Sequence, residues 1–396
     1  MKIAFVNTEF LPVPPTRGGA VEEWIERLAQ GLKTDAVFIF SRDAQAAVDF
    51  EQRGHLRYFW FRPGWLSKLL LSTYRLPFQN GRSRFFFFPY ALWCARQLKK
   101  VGPDIIHIHN RPHFVWIIRK LNPKAKIILH IHQVSAIVND TSWAKALPKE
   151  VDLFLGCSQF IVNELKNRYE GIDGKAQVIY NGVDIEKFEP VWEKSERRVI
   201  LRTKFNVVHD KVVLYVGRLA ENKGAHLLIQ AVQNVVGSGQ RDLKLFICGA
   251  RGYANRDVTP YIKNLYGLAD GLKDRIFFTG FVPHEEIPDY YLMADVVVIP
   301  SEVAEGFCII TIEGLAAGVP VIASARGGIP EIISDNENGC LVHDVSVAGL
   351  QKALEDFLNR PEVYRGYTNA GRRMVEERFT WEKLSMRLQE IYLELV

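Results

Sequence analysis

Apolar runs of strand length alternate with amphipathic stretches of helical length along the whole chain. Continuous apolar runs are typical of parallel strands that are buried on both faces, and the stretches between them are long enough for crossover helices. The pattern predicts strands at 2–7, 36–40, 56–61, 105–109, 127–132, 153–157 and 177–180, and then at 211–217, 243–249, 275–279, 296–300, 320–323 and 340–342. This rhythm predicts an α/β protein with mainly parallel sheets.

The length of 396 residues favours two domains, each with enough strands for its own doubly wound sheet. An Asn-Gly turn at 181–182 leads into a charged stretch and marks the boundary. We predict domains at 1–190 and 191–375, and a C-terminal helix at 376–396 that crosses back to the first domain. Open α/β sheets bind ligands beyond the carboxyl ends of their strands, so we expect two Rossmann-like sheets facing across a cleft.

The chain opens on an apolar strand without the features of a signal peptide, and its longest apolar run, 85–95, falls well short of the roughly 20 residues that cross a bilayer. The five cysteines are scattered and do not form CxxC pairs. We therefore expect a cytoplasmic protein with reduced thiols.

Charge is unevenly distributed: the net charge is +5, yet residues 52–103 contain ten Lys and Arg and no acidic residue. Aromatic residues are interleaved with these cations, a composition that anionic membrane surfaces attract. We expect peripheral docking of 52–103 on the inner leaflet, or on a polyprenyl-diphosphate acceptor held there, through cations among Arg57, Arg62, Lys68, Arg75, Arg82 and Arg84. The alternative is that 56–61 and 85–93 are a core strand and a core helix with solvated cations. No base-reading module accompanies the charge, so nucleic acid is not an expected partner.

Two glutamates follow the predicted strand 296–300. Glu305 lies in the loop Ser301 to Cys308, and Glu313 lies eight positions later on a helix predicted to begin near Ile309. Helical spacing lets both carboxylates face one ligand, and the helix N-terminus offers backbone N–H groups to an anion. Paired glutamates are often only a solvated helix face, but the flanking glycines and isoleucines favour a site.

Two cations follow the predicted strand 211–217. Arg218 and Lys223 precede a helix that should begin near Ala225. A planar guanidinium and a mobile ammonium at a strand end suit a diphosphate. The alternative is that these two residues are exposed loop cations without a function.

Gly18 and Gly19 follow the first strand and precede a helix with Glu22 and Glu23 in its first turn. Adjacent glycines permit close backbone approach to a phosphate or sugar, but the GxGxxG of a dinucleotide site is absent.

Two strands carry spaced histidines, His107 with His109 and His130 with His132. Because alternate residues of a strand share a face, these could bind a metal, but sugar contacts at the strand ends and a core role for His107 and His130 are favoured. The chain also has no DxD sequence, so we expect no metal and no cofactor.

Together these segments resemble the retaining glycosyltransferases of family four, which have the GT-B fold of two Rossmann-like domains. The match runs nearly end to end. E-x7-E with the following G-V-P-V-I and G-G-I-P-E segments spans 305–331, V-G-R-L-A-E-N-K-G spans 216–224, and I-Y-N-G-V-D spans 179–184. The opening strand and the H-x-H-N stretch are most similar to the spore-coat and cell-surface polysaccharide branch.

The resemblance implies a retaining hexosyltransferase that uses a nucleotide-diphosphate sugar, with UDP favoured over GDP, and a glycan or polyprenyl-linked acceptor. Arg218 and Lys223 would bind the diphosphate, Glu313 the ribose and Glu305 the transferred sugar. Gly19 would close on the phosphates, and His132 would contact the sugar. The implied catalytic residues are Glu305, Arg218, Lys223 and His132, and the implied donor-binding residues are Gly18, Gly19, Arg218, Lys223, Gly306, Phe307, Cys308, Ile309 and Glu313.

The sequence departs from the family pattern at Cys308, where glycine is usual, and at Gly314, where alanine is usual. Cys308 should restrict the backbone and bring a side chain towards the donor. Three other hypotheses stay open for the function of the protein: a sugar-nucleotide epimerase, a non-catalytic coat or scaffold protein, and a phosphorylase that uses pyridoxal phosphate. In the favoured front-face transfer the leaving phosphate accepts the acceptor's proton and Glu305 stabilises the sugar, whereas double displacement would make Glu305 the nucleophile.

Overall fold

The computed structural model describes residues 1–16, 18–43, 46–62, 84–137, 143–193, 195–252 and 258–396. The chain divides into two compact units, one formed by Met1–Tyr180 with Trp381–Val396 and the other by Asn181–Thr380. The second unit therefore begins at the Asn-Gly turn that the sequence analysis took to mark the boundary, rather than after residue 190, where the first predicted domain ends. Val183 explains the difference, because its N–H bonds to the carbonyl of Phe379, 2.9 Å away, and ties the turn to the second unit.

The first unit is built on an eight-stranded sheet in the order β3-β4-β2-β1-β5-β6-β7-β8, parallel except for the β3–β4 pair. Its strands are β1 (Lys2–Val6), β2 (Ala36–Arg42), β3 (Phe50–Arg53), β4 (Leu56–Phe61), β5 (Ile105–His109), β6 (Lys126–Ile131), β7 (Leu153–Gly156) and β8 (Ala176–Val178). Its central strands are buried on both faces, which explains their continuous apolar sequences.

The second unit is built on a six-stranded parallel sheet in the order β11-β10-β9-β12-β13-β14. Its strands are β9 (Lys211–Val216), β10 (Leu243–Cys248), β11 (Ile276–Gly280), β12 (Val296–Ile299), β13 (Val321–Ser324) and β14 (Cys340–Val342). The expected architecture of two parallel-sheet Rossmann-like units is confirmed.

The helices of the first unit are α1 (Ala20–Gly31), α2 (Arg84–Val101), α3 (Val115–Leu121), α4 (Leu147–Glu150) and α5 (Gln159–Arg168), together with the C-terminal α13 (Trp381–Leu395). Those of the second unit are α6 (Ser195–Lys204), α7 (Ala225–Gly237), α8 (Pro260–Leu268), α9 (Ile287–Met293), α10 (Ile309–Ala316), α11 (Val347–Asn359) and α12 (Pro361–Arg378). Among the described residues, no helix combines the length and apolarity needed to cross a bilayer.

The chain returns to the first unit at Trp381, and α13 packs on α1 there. A Cβ at Gly31 would lie only 2.2 Å from Ser385 Oγ, so the glycine lets the two helices approach closely. Tyr392, near the C-terminal end of α13, is buried in the same hydrophobic cluster as Trp24 and Leu28 of α1.

Each sheet has a strand with the next strand of the chain on one side of it and a later strand of the chain on the other. β1 lies between β2 and β5, and β9 lies between β10 and β12. In open α/β sheets, ligands bind beyond the carboxyl ends of the strands at such a point of reversal. The loop of Gly18 and Gly19 follows β1, and the loop of Arg218 and Lys223 follows β9.

Candidate active site

Three loops of the second unit meet beyond the carboxyl ends of β9, β10 and β12. The backbone N–H of Glu302 bonds to the carbonyl of Asn222 (3.2 Å), which joins the loops after β12 and β9. Leu219 N–H bonds to the carbonyl of Ala250 (2.9 Å), which joins the loops after β9 and β10. The close packing depends on Gly224, because its φ is 70° and a Cβ there would lie 2.0 Å from the Pro300 carbonyl oxygen.

Lys223 and Glu305 form an ion pair where these loops meet. Lys223 Nζ lies 2.5 Å from Glu305 Oε1, and the side chains are only 20% and 14% exposed. Ser301 Oγ donates to the same carboxylate oxygen at 2.5 Å. Gly328 N–H holds the Glu305 carbonyl at 2.8 Å, so the glycine pair after β13 fixes the loop that carries the carboxylate.

Arg218, the second predicted cation of this loop, is exposed. Its carbonyl accepts a bond from Tyr215 Oη at 3.0 Å, which anchors its backbone. Among the described residues, Arg218 forms no ion pair with an acidic side chain. The structure therefore brings Lys223 and Glu305 together and leaves the Arg218 guanidinium at the surface of the same loop.

Glu313 lies inside α10 and has partners different from those of Glu305. Tyr291 Oη donates to Glu313 Oε2 at 2.8 Å, and His284 Nε2 lies 3.5 Å from Oε1. The Glu313 side chain is 8% exposed, whereas His284 is 48% exposed. The sequence analysis did not identify Tyr291, His284 or Ser301, of which only Ser301 carries a signal, since it directly follows the strand.

The segment before α10 is buried and well packed. Gly306, Phe307 and Cys308 are buried, and Phe307 packs edge-on against Phe379 with ring centroids 5.6 Å apart. Cys308 has φ −97°, an ordinary conformation for any residue, so cysteine fits here without backbone strain. Burial raises the pKa of its thiol to about 12. The helix then begins at Ile309, and the Thr311 N–H in its first turn bonds to the Cys308 carbonyl at 3.1 Å.

Gly314, the other departure from the family pattern, has a packing explanation. A Cβ at this position would lie 2.8 Å from Val321 Cγ2 and 3.7 Å from the Tyr291 ring. Alanine would therefore crowd the Val321 side chain of β13, whereas glycine lets α10 lie close to that strand.

In the first unit, Gly18 and Gly19 have φ of 80° and 123°, a backbone conformation that favours glycine. A Cβ at Gly19 would lie 2.2 Å from Glu22 Oε2, so the glycine loop folds onto this carboxyl group. Thr8 Oγ1 donates to Glu22 Oε1 at 3.2 Å. Arg17, which belongs to the same predicted loop, lies outside the described residues.

Burial raises the pKa of Glu22 from 4.5 to about 7, despite opposing hydrogen bonds. Between these pH values the folded protein keeps a proton that the unfolded chain loses, so stability falls as the pH rises from 4.5 to 7. We expect Glu22→Gln to abolish this loss, about 3 kcal/mol at most. The variant should melt several degrees above wild type at pH 8 and lose that advantage at pH 5.

Thermal unfolding followed by circular dichroism across this pH range checks the prediction. Glu23→Gln is the matched control, because Glu23 is a partly exposed neighbour paired with Arg27 and should keep the wild-type pH dependence. An unchanged pH slope in Glu22→Gln would contradict the assignment.

Four histidines that lie in β5 and β6 or directly follow β6 have their rings close together in the first unit. His107, His109 and His130 are fully buried, which confirms a core position for His107 and His130. His107 Nδ1 lies 2.6 Å from Tyr392 Oη, and His109 Nδ1 lies 3.0 Å from His132 Nε2. Burial holds the pKa of His107, His109 and His130 well below the usual range, so all three are neutral. His132, the predicted sugar contact, is only partly buried.

A metal ion fits this group poorly. Ring nitrogens of His107, His109 and His130 lie within 4.8 Å of one another, and several have no hydrogen-bond partner in the part of the chain that the structure describes. However, the rings of His107 and His109 stack with only 13° between their planes. Imidazole lone pairs lie in the ring plane, so two parallel rings cannot point at one ion. The absence of a metal stays a prediction.

Comparison with known proteins extends these observations. Residues 18–187 match the family model described as Glycosyltransferase Family 4, and residues 198–374 match the one described as Glycosyl transferases group 1. Spore coat protein SA of Bacillus subtilis is 29% identical to this chain, with 99% of each chain covered.

Solved structures have the same fold. Sucrose-phosphate synthase from Thermosynechococcus elongatus has a TM-score of 0.78 at 23% identity, covering 100% of this chain and 98% of that one. Anabaena HepE, solved in complex with UDP and glucose, has a TM-score of 0.75 at 19% identity, with 100% of both chains covered. The two family models, the full-length relative and the architecture agree: the chain belongs to the GT-B glycosyltransferases of the family-four type.

Proposed function

We propose that the protein is a retaining, metal-independent hexosyltransferase that moves a sugar from a nucleotide-diphosphate donor to a glycan or lipid-linked acceptor. The observation that carries the proposal is the ion pair of Lys223 and Glu305 beyond the carboxyl ends of β9 and β12. The lysine supplies a cation for the diphosphate, which is the leaving group. The glutamate beside it supplies a carboxylate for the sugar that is transferred.

The charges of this pair are opposite in sign to the charges that develop on the donor during the reaction. Breaking a sugar–phosphate bond makes the sugar positive and the diphosphate negative, so preorganised charges of both signs lower the barrier. Lys223 and Arg218 would stabilise the diphosphate from one loop. Glu305 would stabilise the sugar, and the N-terminal N–H groups of α10 would add further donors to the phosphates.

Glu305 is better suited to stabilising than to attacking. Lys223 and Ser301 both donate to its Oε1, which spreads the negative charge that a nucleophile would need to concentrate. We therefore favour front-face transfer, in which the leaving phosphate oxygen accepts the acceptor's proton as the acceptor oxygen bonds to the anomeric carbon. Product that retains the anomeric configuration, detected by NMR, is the expected outcome.

UDP is the proposed donor nucleotide, and the complex of HepE with UDP supports it by analogy of fold. A thermal-shift screen with UDP-, GDP- and ADP-sugars tests both the proposal and this preference. A UDP-sugar should stabilise the protein most, and product formation should release UDP. If no nucleotide sugar binds, the enzymatic proposal fails.

A chelator should leave activity almost unchanged, because lysine and arginine replace the divalent cation that many sugar transferases use. Initial rates with and without EDTA measure this directly. Loss of activity with EDTA and recovery with Mg²⁺ or Mn²⁺ would contradict the metal-free arrangement. A zinc-selective chelator should be tested in the same assay, because it also shows whether activity depends on a zinc ion at the histidine group.

A non-catalytic coat or scaffold role is the second candidate, favoured by the name of the Bacillus relative. A scaffold would have no need of the buried ion pair or of the Tyr291–Glu313 hydrogen bond. Calorimetric titration with UDP and GDP separates the two functions, since only the transferase should bind either nucleotide.

A further inference from the structure

One face of the first unit combines exposed aromatic rings with exposed cations. It is formed by α2 and α3, which pack against each other, and we call it the α2–α3 face. Phe88 and Trp116 are 39% and 49% exposed and stack on each other with ring centroids 6.3 Å apart. Two adjacent exposed aromatic rings form an apolar patch on the surface, and patches of this kind are candidates for interaction sites.

Cations continue this face along α2. Arg96, Lys99 and Lys100 are exposed in the C-terminal half of the helix, and Lys120 is exposed on α3. Positions 88, 92, 96 and 99 follow at helical spacing, so aromatic and basic residues share one side of the helix. Among the described residues, none of the four cations has an acidic partner.

An apolar groove lies beside the cations. It has a volume of about 910 Å³, and Phe61, Leu92, Trp93 and Leu121 line it together with Arg96, Lys99 and Lys100. An apolar floor with a cationic rim suits a ligand that has both an acyl chain and an anionic head group. The only acidic residue between 84 and 126 is Asp104, and it accepts a bond from the backbone N–H of Lys2 (2.7 Å).

We propose that the α2–α3 face docks the protein on an anionic phospholipid bilayer. Phe88 and Trp116 would lie at the level of the head groups, and Arg96, Lys99, Lys100 and Lys120 would contact the lipid phosphates. Charge complementarity selects this occupant over a second copy of the chain, whose identical face would carry the same positive charge.

The structure changes the set of docking residues expected from the sequence. Arg62 pairs with Asp49 at 2.5 Å, and the Arg57 guanidinium lies over the Phe38 ring. Lys68, Arg75 and Arg82 lie outside the described residues, and the Arg84 side chain is not described. The core strand and core helix considered as the alternative are both present as β4 and α2, yet α2 also exposes the basic face.

The test is co-sedimentation of the full chain with phosphatidylcholine vesicles that contain about 30% phosphatidylglycerol. The surface of these vesicles is roughly one-third anionic. Each engaged cation contributes about fivefold to binding, so Arg96→Gln/Lys99→Gln/Lys100→Gln should weaken it by about 10²-fold. Trp116→Ala should weaken it about tenfold, and salt should weaken the wild type.

The matched control removes the same charge elsewhere: Lys204→Gln/Lys263→Gln/Lys352→Gln changes three exposed lysines of the second unit and should bind like wild type. UDP affinity, measured without vesicles, should be equal in all variants, so docking can fail independently of the proposed catalysis. Absence of binding to anionic vesicles at low salt, or equal binding by both triple variants, would overturn the proposal. So would a dimer in solution that the α2 triple variant dissociates.

Discussion

Replacing Lys223 with alanine should lower kcat by about 10²-fold or more, and replacing Arg218 should have a similar effect. Each change removes a donor to the negative charge that grows on the leaving diphosphate, and a factor of 10² corresponds to about 2.7 kcal/mol of the activation barrier. Steady-state rates with a saturating nucleotide-sugar donor measure the loss. Lys263→Ala, which removes an exposed lysine of α8 in the same unit, is the matched control and should retain wild-type turnover.

The ion pair offers a way to separate catalysis from stability. Lys223→Ala leaves the Glu305 carboxylate largely buried without its cation, so the variant should also melt at a lower temperature. Adding Glu305→Gln removes the uncompensated charge and should restore the melting temperature. Turnover should stay low in the double variant, because the diphosphate lacks its cation and the sugar lacks its carboxylate. Recovery of activity together with stability would show that Lys223 and Glu305 act only as structural partners of each other.

The fold follows from local sequence signals because parallel strands that are buried on both faces have continuous apolar sequences. The predicted bounds of β4, β5 and β14 agree with the structure residue for residue. β3 was missed for the same reason, since Phe50–Arg53 is a short, mostly exposed and largely polar edge strand. Its antiparallel pairing with β4 depends on a neighbour and leaves no periodic pattern in four residues.

The candidate site was predictable as far as strand ends determine it. Lys223 and Glu305 were each placed at the carboxyl end of a strand, and β9 and β12 prove to be neighbours. Their direct contact was not predictable, because it depends on the approach of Gly224 to the Pro300 carbonyl. Tyr291 was missed because a buried tyrosine on an apolar helix face looks like an ordinary core residue until its hydroxyl group is seen to have a carboxylate partner.

Glu305 and Glu313 should separate in their kinetic effects, because their surroundings differ. Glu305→Gln should lower kcat by about 10²-fold and leave UDP affinity within about threefold, since the sugar contact matters near the reacting bond. Glu313→Ala should weaken UDP binding by at least about tenfold and raise the donor KM, since a ribose contact persists in the ground state.

Glu313 is buried, so its replacement also needs a structural control. Tyr291→Phe removes the hydroxyl group 2.8 Å from the carboxylate but keeps Glu313 and the ring that packs near α10. If Glu313 binds the nucleotide directly, Tyr291→Phe should weaken UDP binding much less than Glu313→Ala does, because the carboxylate remains. Calorimetric titration of wild type and the three variants with UDP gives the comparison. Equal loss of UDP affinity in Glu305→Gln and Glu313→Ala, or in Tyr291→Phe and Glu313→Ala, would contradict a direct contact between Glu313 and the nucleotide.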